Sequence, residues 1–288
     1  QVVEVPVPQA RRGTALVQVA ASLVSAGTER MLVEFAGKSL VGKAQSRPDL
    51  VRQLLDKARR EGLVTTLESA FNRLDQPMVL GYSSAGTVVN IGDGMPGIQV
   101  GDRVACAGGG YAVHAEYNIV PHNLLTPLPD SVDFESAAFT TLGAIALQGF
   151  RLAHPQLGDQ VAVIGLGGLG HMAIKLAKAL GASVVLFTRT PDKEADALRL
   201  GADGVILSTN DESMRAARRR FDLIIDTVPY AHDLNPYIPT LRTNGTLVLV
   251  GYLGPLEPAP HSVPLILGRK AVAGSVIGGI PATQELLD

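Results

Sequence analysis

Residues 161–178 hold the strongest chemical signal in the chain. An apolar run of strand type, Val161-Ala-Val-Ile164, leads into Gly165, Leu166, Gly167, Gly168, Leu169 and Gly170, and His171-Met-Ala-Ile-Lys-Leu-Ala-Lys178 continues at helical spacing. A buried-type strand, a Gly-x-Gly-x-x-Gly turn and a helix together make a dinucleotide-binding fingerprint, which a glycine run alone would not. Gly165 permits the tight turn, Gly167 lets backbone approach a pyrophosphate, and Gly170 lets helix and strand pack closely. The helix N-terminus then faces the phosphate charge. His171, in the first helical turn, reads as a surface or packing residue.

The next strand decides which dinucleotide. Sites for NAD usually place Asp or Glu about 20 residues after the motif, where it accepts from the ribose hydroxyls. Here Val184-Val-Leu-Phe187 ends in Thr188, Arg189 and Thr190, with Lys193 nearby. A carboxylate would repel a 2′-phosphate, whereas these hydroxyls and cations can bind and neutralise it. The expected cofactor is NADP(H). Asp192, past Pro191, reads as a cap for the following helix.

These residues must be positioned by a larger framework. A chain of 288 residues suggests two domains. Residues 1–44 read as short strands, Val2–Val7 and Ala15–Ala20 among them, and 78–128 return to strand-and-turn patterning with Thr87–Ile91 as one strand. Between them, 48–75 read as an inserted helical hairpin whose basic residues form a solvated face. Phe134–Leu152 reads as a linking helix capped by Asp130 or Ser131. From there strands alternate with helices: Val161–Ile164, helix 169–180, Ser183–Phe187, helix 192–200, Gly204–Leu207, helix 211–219, Leu223–Asp226, helix 234–241, Thr246–Val250. Such alternation implies a parallel sheet with helices on both faces. The fold class is therefore α/β: a barrel-like β domain over 1–153, and a Rossmann doubly wound domain over 154–288. Gln1 and the helix-like 282–287 give both ends a clipped look, and the Rossmann part reads as truncated at its C-terminus.

Charge and composition narrow the partners. The formal net charge of −2 gives no field favouring nucleic acid or an anionic membrane, so a small-molecule substrate is expected. No apolar run of spanning length and no leader is visible, and the single cysteine, Cys106, excludes an intrachain disulfide. A cytoplasmic setting fits. Cys106 reads as a small buried hydrophobe. His114, His122, His154, His232 and His261 lack paired ligand spacing and read as surface or satisfied polar residues. Arg218–Arg220 reads as a charge cluster closing a helix.

With those motifs in place, the chain resembles the medium-chain dehydrogenase/reductase superfamily, in which a GroES-like β-barrel joins a Rossmann domain. Residues 158–288 resemble its cinnamyl alcohol dehydrogenase branch, through Gly165–Lys175, Phe221–Val228, Gly245–Gly251 and Gly268–Gly279. That likeness implies NADP(H) contacts at Thr227, Val228, Gly251, Tyr252, Ser275 and Val276, the last four lining the nicotinamide. It also makes homo-oligomerisation through the edge strand near Ala271–Val276 a familiar arrangement. The first half resembles zinc-lacking bacterial members, through Ser25–Arg30, Gly81–Gly86, Gly101–Val104 and Ala138–Gln148. Zinc-containing members would place ligands near Ala26, at Tyr82 and Ser83, and near Gly143, none of which can ligate as a Cys, His or carboxylate would. No metal is expected.

The resemblance implies a zinc-independent, NADP(H)-dependent oxidoreductase, alcohol dehydrogenase-like, that moves hydride between nicotinamide and an alcohol, a carbonyl or an activated alkene. Without a metal, oxyanion charge must be met by hydrogen-bond donors or delocalised in the substrate. Tyr82 and Ser83 stand at the vacated ligand positions and Thr28 at the place of a proton-relay hydroxyl, which makes them the candidate catalytic residues. Two other readings stay open: a cofactor-binding protein without turnover, and a truncated or mosaic dehydrogenase.

Overall fold

A computed structural model describes residues 2–36, 79–251 and 254–279. The expected hairpin at 48–75, Tyr252 and the helix-like 282–287 lie outside them. The chain forms two compact units, residues 24–80 and residues 1–23 with 81–288.

Within residues 24–80, the described secondary structure is helix α1 (Ala26–Ala36), where the sequence pattern suggested strands. Ser25 and Glu29 explain the difference. Glu29 Oε1 accepts from the Ser25 amide at 2.9 Å, satisfying a donor that a helix start otherwise leaves open.

The larger unit holds two sheets. The first is antiparallel and curled, with strands β1 (Thr14–Ser22), β2 (Ser83–Ile91), β3 (Arg103–Ala107), β4 (Tyr117–Pro121) and β5 (Leu125–Pro127) in the order β4-β1-β2-β3-β5. This is the expected GroES-like part. Val2–Val7, strand-like in composition, joins no strand and is exposed. Gly86 is required where β2 crosses β1, because a Cβ there would sit on the Gln18 carbonyl.

The second sheet is parallel: β6 (Gln160–Ile164), β7 (Ser183–Thr188), β8 (Gly204–Leu207), β9 (Phe221–Asp226), β10 (Leu241–Leu249) and β11 (Ala271–Gly274), ordered β11-β10-β9-β6-β7-β8. That is the doubly wound Rossmann order, and its direction reverses between β6 and β9. Alternate residues enter two cores, as the pleat demands. Val161, Val163, Val184 and Leu186 face one side with Phe150, Ala173, Ile174 and Ala177. Ala162, Ile164, Val185 and Phe187 face the other with Met214, Ile238 and Leu241. Burial on both faces explains why these strands read as continuous apolar runs.

Several boundaries differ from the sequence pattern. The linking helix is two pieces, α2 (Phe134–Ala137) and α3 (Thr140–Leu152), and its cap is Asp133, which accepts from the Ser136 amide at 2.6 Å, not Asp130 or Ser131. Helix α4 spans Gly168–Ala179. Asp192 caps nothing: it lies in a 3-10 turn, Pro191–Lys193, that runs into α5 (Glu194–Arg199) without a side-chain cap. Helix α6 (Asp211–Ala216) stops short of the Arg218–Arg220 run. The amides of Arg219 and Arg220 turn to the carbonyls of Pro239 and Thr240 instead. The helix expected over 234–241 is only a 3-10 turn, Ile238–Thr240, because Pro236 and Pro239 each remove a donor and restrict the preceding residue. Helix α7 (Ser262–Gly268) precedes the edge strand β11. Among the described residues, no helix is long and apolar enough to cross a membrane.

Candidate functional site

At the carboxyl end of the parallel sheet, beside the β6/β9 reversal, lies a cavity of about 450 Å³. Crevices at such switch points are where doubly wound sheets take ligands. The β6–α4 turn contributes Ile164 through Gly167, and the end of β7 contributes Thr188, Arg189 and Thr190, with Lys193 beyond. Ser208 and Thr209 follow β8. Thr227 and Val228 follow β9, and the irregular segment after them adds Tyr230, His232, Asp233 and Tyr237.

The glycines of the turn differ in their demands. Gly165 has φ +86°, a left-handed backbone that favours glycine. A Cβ on Gly170 would sit on the Gly165 carbonyl oxygen, so this glycine sets how closely α4 crosses the turn. Gly167 has nothing within 4 Å of its would-be Cβ and φ −96°. The space over it is open, which suits close approach by a bound group. Gly168, Leu169 and Gly170 form the first turn of α4, whose N–H groups have no intrahelical partner in any helix. His171 Nδ1 lies 2.7 Å from the Gly167 carbonyl oxygen and so packs the turn from the helix side.

The hydroxyls lining this cavity are partly committed. Thr188 Oγ1 accepts from the Thr190 amide at 3.1 Å, so Thr188, 8% exposed, shapes the turn that presents Arg189. Arg189, Thr190 and Lys193 are exposed. Thr227 Oγ1 donates to the Ile164 carbonyl at 2.8 Å, tying β9 to the glycine turn. Asp233, a carboxylate in the lining, accepts from the Asn235 amide and Nδ2, both at 2.8 Å.

Other expected residues lie elsewhere. Gly251 follows β10, where a Cβ would sit on the Thr227 carbonyl, and Ser275 and Val276 follow β11, all outside the cavity lining. Tyr82 is half-buried just before β2. Ser83 is 1% exposed and its hydroxyl donates to the Ala138 carbonyl at 2.6 Å, so its proton is not aimed at a substrate. Thr28, on α1, accepts from the Ser25 hydroxyl at 3.2 Å. Cys106 is buried, and burial pushes its thiol up to about 12 against the lowering effect of a bond with Ser84. Among the described residues, no three His, Cys, Asp or Glu side chains gather as a metal site.

One pair escaped the sequence reading. His232 Nε2 lies 3.2 Å from Oδ2 of Asp226, whose side chain is 1% exposed. No spacing rule connects a strand-end aspartate to a histidine in an irregular segment; only Asp226 falls within the Phe221–Val228 motif, and His232, expected to be a surface or satisfied polar residue, is instead largely buried against Asp226 with Nε2 lacking a hydrogen bond.

Comparison with known proteins agrees with this architecture. Residues 168–288 match the zinc-binding dehydrogenase family and residues 57–130 the alcohol dehydrogenase GroES-like domain. Alcohol dehydrogenase 9 of Catharanthus roseus is 46% identical over 187 residues, 62% of this chain and 50% of the relative. NADP-dependent alcohol dehydrogenase C 1 of Mycolicibacterium smegmatis is 33% identical over 265 residues, 78% of this chain and 75% of the relative. The matched part is thus half the length of the first relative and three quarters of the second. The cinnamyl alcohol dehydrogenase of Helicobacter pylori, solved with NADP(H), superposes with a TM-score of 0.63 at 30% identity, covering 74% of this chain and 71% of that one. A cinnamyl alcohol dehydrogenase from Sorghum bicolor has the same fold, with a TM-score of 0.76 at 24% identity over 99% of this chain and 81% of that one. The chain belongs to the medium-chain, zinc-type alcohol dehydrogenase superfamily.

Proposed function

We propose that the protein is an NADP(H)-dependent oxidoreductase that works without zinc on a small alcohol, carbonyl or activated alkene. Residues 1–153 serve the substrate and 154–288 the dinucleotide. One observation carries the cofactor reading: Arg189, Thr190 and Lys193 line the same cavity as the glycine turn Gly165–Gly167, and no carboxylate ends β7. Relatives named as NADP-dependent, or solved with NADP(H), support it.

The residues present fit a dinucleotide. The open backbone at Gly167 and the α4 N-terminus would hold the pyrophosphate. Arg189, Thr190 and Lys193 would hold the 2′-phosphate, with Thr188 shaping their turn. Gly251, Tyr252, Ser275 and Val276 would lie toward the nicotinamide. When bound, the cofactor supplies or accepts a hydride at nicotinamide C4. A catalytic zinc does not suit the residues that the resemblance sets at its ligand positions, near Ala26, at Tyr82 and Ser83, and near Gly143. Tyr82 and Thr28 are then the hydroxyls proposed to meet oxyanion charge or move a proton, while the Ser83 hydroxyl is committed to the Ala138 carbonyl.

Fluorescence titration with both cofactors tests the reading. Arg189→Ala should weaken NADPH binding by about 1.5–3 kcal/mol, the worth of a charge-assisted hydrogen bond, and leave NADH nearly unchanged. Tighter binding of NADH than NADPH by the native chain overturns the assignment. Turnover is tested by NADPH oxidation across aldehydes, quinones and enones. NADPH binding without any substrate-dependent rate would favour a cofactor-binding protein whose vacated ligand positions mark lost chemistry.

A further inference from the structure

His232 belongs to neither the glycine turn nor the cationic rim, yet it stands on the cavity wall. Its ring lies between two acceptors. Nδ1 is 3.0 Å from the Tyr230 carbonyl oxygen, and Nε2 is 3.2 Å from Asp226 Oδ2. A neutral imidazole offers one N–H and one lone pair, so only the imidazolium presents a proton to both sides. Asp226 needs that proton equally. Its Oδ1 accepts from the Val228 amide at 3.1 Å, while its buried Oδ2 and His232 Nε2 face each other at ion-pair distance without a well-aligned hydrogen bond and have no other partner. A buried carboxylate without a partner is strongly unfavourable.

The pair anchors a segment that has no regular secondary structure to hold it. Residues 229–237 supply Tyr230, His232, Asp233, Pro236 and Tyr237 to the cavity lining. On one side Asn235 ties the segment to 259–261, donating to the Ala259 carbonyl at 3.2 Å and accepting from the His261 amide at 2.8 Å. On the other, His232 reaches β9 through Asp226.

We propose that His232, held as an imidazolium by Asp226, is a positioning residue that fixes the 229–237 segment as a wall of the dinucleotide cavity, so that cofactor affinity falls as this histidine loses its proton. The proposal rests on the dinucleotide reading of the cavity. The groups facing the ring are consistent with it. Asp226 on β9 and Asp233 on the segment are acidic, and Tyr237 stands edge-on with its ring centroid 6.3 Å away. Burial raises the Tyr237 phenol above its ordinary value, which keeps it neutral in the relevant range. The facing carboxylate of Asp226 foremost raises the histidine above its ordinary 6.5, against the opposing effect of burial, and the Tyr230 carbonyl and the charge of Asp233 reinforce the rise. The sign follows. The contact is complete below pH 6.5 and is lost as pH climbs through the raised value in the folded protein.

The experiment measures NADPH and NADH dissociation constants for the full chain from pH 6.5 to 9. NADH is included because a phosphomonoester itself titrates near pH 6 and NADH lacks the 2′-phosphate. Both cofactors should weaken with rising pH, roughly tenfold for each unit by which they raise the His232 pKa. His232→Gln, whose amide can donate to Asp226 but does not titrate, should flatten that dependence. The His232 ring resonance, assigned by triple-resonance NMR in the native chain, should titrate above 6.5 and move higher with saturating NADH. This last measurement decides the matter even if the variant does not fold. A flat affinity profile, an unchanged slope in a folded His232→Gln, or a resonance indifferent to NADH overturns the inference alone. Failure of both cofactors to bind at every pH overturns the cavity reading, and this inference with it.

Discussion

Gly167 and Gly170 sit three residues apart and ask for opposite experiments. Gly167→Ala meets nothing within 4 Å at an ordinary φ, so stability should stay within about 0.5 kcal/mol while NADPH and NADH both bind more weakly. Gly170→Ala puts a methyl on the Gly165 carbonyl and should cost about 1–3 kcal/mol, read as a lower urea midpoint. Equal stability losses in the two variants would remove the distinction between open and packed glycines. Cys106 gives a third test at this scale. Burial holds its thiol near 12, so an aromatic disulfide reagent at pH 8 should leave the native protein untouched and titrate one thiol in urea. The glycine roles were legible in the sequence because a turn type and a helix crossing dictate them locally. The commitment of Thr188 to Thr190, of Ser83 to Ala138, and the pairing of His232 with Asp226 were not, because each depends on where a side chain points or on a partner brought in by tertiary packing.

Among the elements, strands β6 to β9 could be located to within a residue or two from their apolar runs, and α4 from the periodicity after the glycines. Helix ends were harder to place. Apolar spacing at 234–241 resembles a helix, but Pro236 and Pro239 deny it the donors, and α1 was hidden inside a stretch of strand-like composition. The link between α4, β7 and β8 passes through Asp203, which accepts from the Val184 amide at 2.7 Å and pairs with Lys178 at 3.0 Å. The Val184 bond foremost, then Lys178, holds this carboxyl below its ordinary value. Its contribution is therefore present above the unfolded carboxylate range, near pH 3.9, and is lost as pH falls through the lower folded value. Asp203→Asn should lower the urea midpoint at pH 7, and the gap from the native chain should close as the solution is acidified. A gap that persists at pH 2 would show that shape, not charge, is what the residue supplies.

For the whole molecule, the cofactor reading has a thermodynamic signature that needs no substrate. A ligand that binds only the folded chain stabilises it by about 2.7 kcal/mol at 100 times its dissociation constant, so NADPH should raise Tm more than NADH at equal concentration. No difference between the two would argue against a 2′-phosphate site. The order of the parallel sheet has a further consequence for how the protein is made. The edge of β6 that receives β9 is completed by residues about 62 positions later, as the bond from the Gln160 amide to Asp222 illustrates. At roughly 5–20 residues per second, a ribosome needs roughly 3–12 s to supply them. During that interval β7 and β8 are synthesised, while the strand that must cover the inner edge of β6 is not yet complete. Slower synthesis between Ile164 and Asp226 is therefore expected to lengthen the exposure of that edge, and a lower yield of native protein on slowing that stretch would show it.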